Sequence, residues 1–179
     1  MFGKTGWSLI YFLLIFVACS SGIKNAQPVV AVEVQDGDTC VVERDGKQWV
    51  VRLIGIDAWE IHANQRLIRQ VLSWKKRGIG VTYEQGLQWG SNGYIFLKQL
   101  LPPGSEVLLV SYGKDQYGRI LGSLYLSHRW INEEMVQSGW AVVYLLFSEL
   151  PPEERKKLRE AEKKAQRQKQ GMWKSIDLP

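Results

Sequence analysis

At 179 residues with 45 % hydrophobic and 23 % charged positions, the chain is long enough for one domain with a real core, hardly long enough for two, and too apolar for extensive disorder. The formal charge of +5, which loss of the first eighteen residues with Lys4 reduces to +4, suits a polyanionic partner and equally suits solubility alone. Two cysteines, Cys19 and Cys40, exclude a disulfide framework, and nothing resembles the Cys/His spacing of a zinc site.

Residues 1–19 carry the pattern of a targeting segment: Lys4 ahead of an apolar run from Trp7 to Ala18, too short for a comfortable membrane span. The run ends in Phe16-Val17-Ala18-Cys19, which resembles a bacterial lipobox with Phe16 where Leu is usual. Lipidation of Cys19 would anchor the protein in the bacterial cell envelope; simple cleavage would give a secreted or periplasmic protein, and an uncleaved anchor is a third possibility. In each case residues 20–28 form a linker and the domain spans 29–179.

Val29–Val34 is β-branched and strand-like, and Asp36-Gly37 turns it toward Thr39–Glu43. Asp45-Gly46 is a second turn, followed by a third strand over Gln48–Ile56. Asn64 can cap a helix in which Leu67, Ile68, Val71, Leu72 and Trp74 fall at helical spacing, while Arg66, Arg69, Lys75, Lys76 and Arg77 make the other face basic. A solvated face is the simpler reading; contact with nucleic acid is the other. A second helix fits 84–101, weakened by Gly86, Gly90 and Gly93, before Pro102-Pro103-Gly104 stops it. Strands follow at Glu106–Tyr112 and Ile120–Leu126, a short helix from Ile131 to Gly139, and an apolar segment from Trp140 to Phe147. A last helix opens at Pro151-Pro152, with Leu158, Ala161, Ala165, Gln168 and Met172 as its buried stripe. Five strands with late helices predict an α+β domain, a five-stranded β-barrel of the OB type with flanking helices.

Asp38 and Asp57 stand near strand ends, where hard oxygen donors without a neighbouring imidazole favour calcium, and after it magnesium, over zinc or copper, with the Ala58 carbonyl able to complete the protein's share. Glu60 is placed to orient or deprotonate a water, and Arg52 and Arg119 to bind a phosphate through guanidinium forks. Arg52 and Asp57 are an odd number of residues apart and would face opposite ways on a straight strand; Gly55 is where a bulge or strand end can correct this.

Taken in order, Asp36-Gly37-Asp38-Thr39, Arg52-Leu53-Ile54-Gly55-Ile56-Asp57 with Glu60, Asp115-Gln116-Tyr117-Gly118-Arg119-Ile120-Leu121-Gly122, and Ile131-Asn132-Glu133 with Gly139-Trp140-Ala141 resemble the staphylococcal nuclease (thermonuclease-like) family. The resemblance covers roughly Val29 to Trp173. It implies an OB barrel and a calcium-dependent phosphodiesterase acting on DNA and RNA, leaving 5'-hydroxyl and 3'-phosphate ends. It further implies that Asp38, Asp57 and Ala58 hold the metal and that Arg52, Glu60 and Arg119 act in catalysis. Trp59 replaces the family's usual proline, which removes a backbone constraint on Glu60, and the 61–83 segment is longer than in compact members. Leu145 lies near the family's base-contacting tyrosine, so Tyr117, Tyr144 and Phe147 are the candidates for substrate contact. The rival expectations are a catalytically silent nucleic-acid-binding barrel, and an envelope adaptor for protein or carbohydrate.

Overall fold

The computed structural model describes residues 23, 25–146 and 149–176; the 1–19 segment with Cys19, and also Phe147, lie outside the described residues. Strand β1 (Gln27–Val34) buries Val29 and Ala31 and then Val34, because its two-residue period slips at a bulge between Ala31 and Glu33. Strands β2 (Thr39–Arg44) and β3 (Lys47–Leu53) form a hairpin whose turn residues Asp45 and Gly46 both have positive φ, 52° and 71°, the twist that matches a tight antiparallel pair.

The predicted third strand divides in two. Gly55, at φ 83°, turns the chain out of β3, and β4 (Ile56–Ala58) pairs instead with β8 (Ala141–Val143). Helix α1 (Gln65–Lys76) begins where Asn64 caps it, its side chain accepting from the backbone N–H groups of Arg66 and Leu67. Helix α2 (Tyr83–Leu100) starts with a reciprocal Thr82–Gln85 capping box. Strands β5 (Glu106–Lys114), β6 (Ile120–Leu126) and β7 (Arg129–Trp130) lead into helix α3 (Ile131–Gln137). Helix α4 (Pro152–Arg167) ends earlier than its apolar stripe suggested. Lys169 and Gly171 take positive φ, Gln168 is exposed, and Met172 is buried from a 3-10 turn over Gly171–Ser175.

The sheet order β3-β2-β1-β5-β6 is antiparallel throughout, and a parallel pairing of β3 with β6 closes the ring into a five-stranded barrel. This is the α+β OB architecture expected from the sequence. Its core, with Val42, Val51, Leu53 and Leu124, is capped by Ile131 and Met135 of α3. A second core gathers Trp59, Leu67, Val71, Trp74, Trp89, Met172 and Trp173, joining α1, α2 and the C-terminal turn.

Asn132 of α3 is fully buried against the barrel. Its Nδ2 donates to Ile54 O (2.9 Å) and Gly122 O (3.2 Å), and its Oδ1 accepts from Leu124 N (3.2 Å). Asn132→Ala leaves buried backbone groups without partners, so urea unfolding should show a stability loss of about 2–4 kcal/mol.

Candidate active site

The guanidinium of Arg52, 3 % exposed, lies at the junction of β2, β3 and β4. Nη1 donates to Leu53 O (2.8 Å) and Ile56 O (2.9 Å), and Nη2 meets Asp38 Oδ2 and Asp57 Oδ1, each at 3.0 Å. The Gly55 turn resolves the parity of Arg52 and Asp57: they sit on different strands and reach one another directly. Asp38 is fixed by the Thr39 hydroxyl (3.1 Å) and by the Ala58 N–H (2.8 Å).

Two residues of α1 that the sequence reading did not single out as site residues complete the cluster. Arg66 Nη2 binds Asp57 Oδ1, and its Nε binds Glu60 Oε1; the two distances are 2.6 and 2.9 Å. Gln70 donates to Asp57 Oδ2 (3.1 Å) and Ala58 O (2.8 Å), while its own Oε1 accepts from Glu60 N (3.2 Å). The available signal was the Asn64 cap, which sets the phase of the helix and places residues 66 and 70 one turn apart on one face. Asn64 Nδ2 reaches the other Glu60 oxygen, Oε2, at 2.7 Å.

Carboxylates outnumber guanidinium groups here. Asp36, whose Oδ1 accepts from Asp38 N (2.8 Å), is pushed up to about 7 by burial and then by the Asp38 charge. Burial and Asp38 also raise Asp57, against the pull of Arg52, Arg66 and Gln70. Burial lowers Arg66, but the charges of Asp57, Asp38 and Glu60 outweigh it and hold that guanidinium above its ordinary value. Surplus negative charge on hard oxygen donors is what a hard divalent cation neutralises, so the donor set fits one in its chemistry. Among the described residues there is no group of three His, Cys, Asp or Glu side chains arranged to hold a metal.

Arg119 reaches this region through barrel closure. Arg52 of β3 stands opposite Leu121 of β6, and Arg119 immediately precedes β6, so the pairing brings both arginines to one cleft. Its Nε and Nη2 both bind Asp115 Oδ2 at 2.8 Å, and its guanidinium lies 5.6 Å from the Tyr117 ring centroid. The Arg119 hydrogen bonds, outweighing burial, hold Asp115 below the usual carboxylate range. Arg52, Asp57, Arg66, Arg119, Tyr117 and Tyr144 line one cleft of about 760 Å³. Asp38, Ala58 and Glu60 lie behind that lining and are tied to it by the bonds above. Leu145 packs on the barrel core, whereas Leu146 is 78 % exposed at the cleft.

A family model described as Staphylococcal nuclease homologue matches residues 50–175. The chain belongs to the staphylococcal nuclease family. Thermonuclease of Staphylococcus hyicus is 28 % identical over 159 residues, 86 % of this chain and 81 % of that protein. An uncharacterized endonuclease of Escherichia coli is 30 % identical over 147 residues, 82 % of this chain and 76 % of its own length. An uncharacterized protein of Methanocaldococcus jannaschii is 30 % identical over 150 residues, covering 79 % of this chain and 69 % of that one. At family level this is a hydrolase of the nuclease type with a nucleic-acid substrate.

Within this nuclease fold, the residue before Glu60 is held by packing. Trp59 is 3 % exposed, its ring centroid 5.5 Å from Trp74 and 5.2 Å from Trp89, and its Nε1 donates to Met172 Sδ (3.3 Å). The backbone of Glu60 lies directly on α2: a Cβ added at Gly90 would fall 2.2 Å from Glu60 O. The α2 glycine therefore admits the loop that carries Glu60. Gly90→Ala should push that loop outward, lowering stability by about 1–3 kcal/mol and nuclease activity beyond the loss of folded protein. Gly80→Ala, which opens onto free space, should change stability by less than about 0.5 kcal/mol. Thermal melts paired with activity per folded molecule check both.

Proposed function

We propose that the protein is a calcium-dependent phosphodiesterase that hydrolyses DNA and RNA to 5'-hydroxyl and 3'-phosphate ends. The observation that carries the reading is the convergence of Arg52, Asp57 and Arg119, from three separate strands or turns, on one cleft. Asp38, Asp57 and the Ala58 carbonyl would hold calcium, which supplies Lewis-acid polarisation of the phosphate when bound.

Arg119 is the phosphate ligand facing the cleft, and its Nη1 carries no partner among the described residues. Arg52, its donors given to protein oxygens, holds the two aspartates in place and contributes fixed positive charge beside the phosphate. Glu60 accepts a proton from water as the water oxygen bonds to phosphorus, and the bond to the 5' oxygen breaks with its electron pair going to that oxygen, which takes a proton from solvent to become the 5'-hydroxyl. Tyr117, 75 % exposed, and Tyr144 offer ring surface to bases.

Both Glu60 oxygens are occupied in the ion pair with Arg66 and the bond from Asn64, an observation that favours a second reading, a nucleic-acid-binding barrel without catalysis. Localisation to the bacterial envelope through lipidated Cys19 is a further part of the proposal and rests on the Phe16–Cys19 motif. Among the described residues no helix is long and apolar enough to cross a membrane.

Plasmid, single-stranded DNA and RNA digestion should require calcium and stop in excess chelator; full activity in chelator rules out the metal assignment. Arg119→Gly should lower turnover by at least about a hundredfold, as loss of a preorganised charge donor does. Binding without cleavage by the unaltered protein, with calcium present, would select the silent barrel.

A further inference from the structure

Arg66 and Gln70 face the acid cluster, and the same helical row continues away from it. Arg69, Ser73 and Arg77 follow at spacings of three and four residues, and all three line the same cleft as Arg119. Lys75 and Lys76, equally basic in the sequence, are not part of that lining. The fold thus separates two groups of cations that looked alike.

The lining of the cleft holds six cationic side chains against three anionic ones. Two of the three acids, Asp57 and Asp115, are already paired with Arg66 and Arg119. Arg69 is exposed and has no ion-pair partner among the described residues. Arg77 lies 5.4 Å over the Trp74 ring, so its guanidinium is held at the surface by a buried anchor; its charge also reaches Glu162, which accepts from Val143 N. The exposed side chains of Tyr117 and Leu146 line the same cleft and present ring and apolar surface. A cleft lined by cationic side chains together with exposed aromatic and apolar surface suits a strand whose phosphates and unpaired bases are both in reach.

We propose that Arg69 and Ser73 of α1, with its C-cap residue Arg77, form a phosphate-tracking subsite for single-stranded polynucleotide, leading away from the scissile phosphate. This rests on the nuclease reading and goes beyond it: the helix that braces Glu60 on one turn binds the flanking substrate on the next two. Arg66 is committed to carboxylates and marks where the track meets the reaction centre. The enzyme therefore favours substrates extended beyond the cleaved bond over small phosphodiesters.

The test compares Arg69→Gln/Arg77→Gln with Lys75→Gln/Lys76→Gln, which remove the same charge from the same helix. Fluorescence anisotropy follows a labelled single-stranded oligonucleotide in chelator across a salt series. Steady-state kinetics in calcium follow the same oligonucleotide and a small nitrophenyl phosphodiester. For the arginine pair, the slope of log affinity against log salt should fall by about 1.4, two single-strand phosphate contacts at about 0.7 each. The efficiency ratio of oligonucleotide to small substrate should fall about tenfold, through KM rather than kcat, because flanking contacts bind ground and transition states alike. The lysine pair should do neither. Equal effects of the two pairs, or an unchanged slope for the arginine pair, would make the row a solvated face and overturn the proposal. Tighter binding of duplex than of single strand by the unaltered protein would overturn the single-strand assignment. If the unaltered protein cleaves nothing while the arginine pair still loses slope, the subsite stands and the catalytic reading falls.

Discussion

A guanidinium removed from water is tolerable only where its donors and its charge are both met, and Arg52 meets that condition with two carboxylates and two backbone carbonyls drawn from neighbouring strands. Its burial imposes order on everything around it. Asp38 at the start of β2, the end of β3 and the short β4 are joined at one atom group, and the Gly55 turn is required for the arrangement to exist. Loss of one partner would leave an uncompensated ion in the barrel, so the geometry of the acids is enforced by the stability of the fold.

Around that fixed point, α1 and α2 frame Glu60 from opposite directions. The Glu60 carboxylate is met by Arg66 and Asn64, its N–H by Gln70, and its carbonyl rests on the α2 glycine. A proline would stiffen this loop through its own ring; here the stiffness comes from Trp59, packed in a three-ring cluster with Trp74 and Trp89 and bonded to Met172. The tryptophan-rich second core is thus the support of the candidate catalytic loop as well as of the C-terminal turn.

Much of this was legible in the sequence because it depends on local chemistry. Period-two strands, the Asp45-Gly46 turn, the Asn64 cap and the correction at Gly55 each follow from the residue at that position. What escaped depends on a neighbour distant in the chain. Gly90 looked like a weakness in α2, since no local signal announces a backbone pressed against it. The basic face of α1 divided into a braced part, a cleft-lining part and an outward part only once the barrel stood beside it. The end of α4 was missed because a lysine at positive φ is no turn signal: Lys169 bends the chain, and Met172 reaches the core from the far side of that bend.

The parallel pairing of β3 with β6 also has a temporal meaning. A growing chain that has emerged only as far as the end of β5 already holds Asp38, Arg52 and Asp57, but it lacks Arg119 and the strand that closes the ring. Such long-range contacts form only after the later segment exists. The cleft is therefore complete only once synthesis has passed Arg119 and β6, so the order of the strands along the chain sets the order in which the parts of the site can assemble.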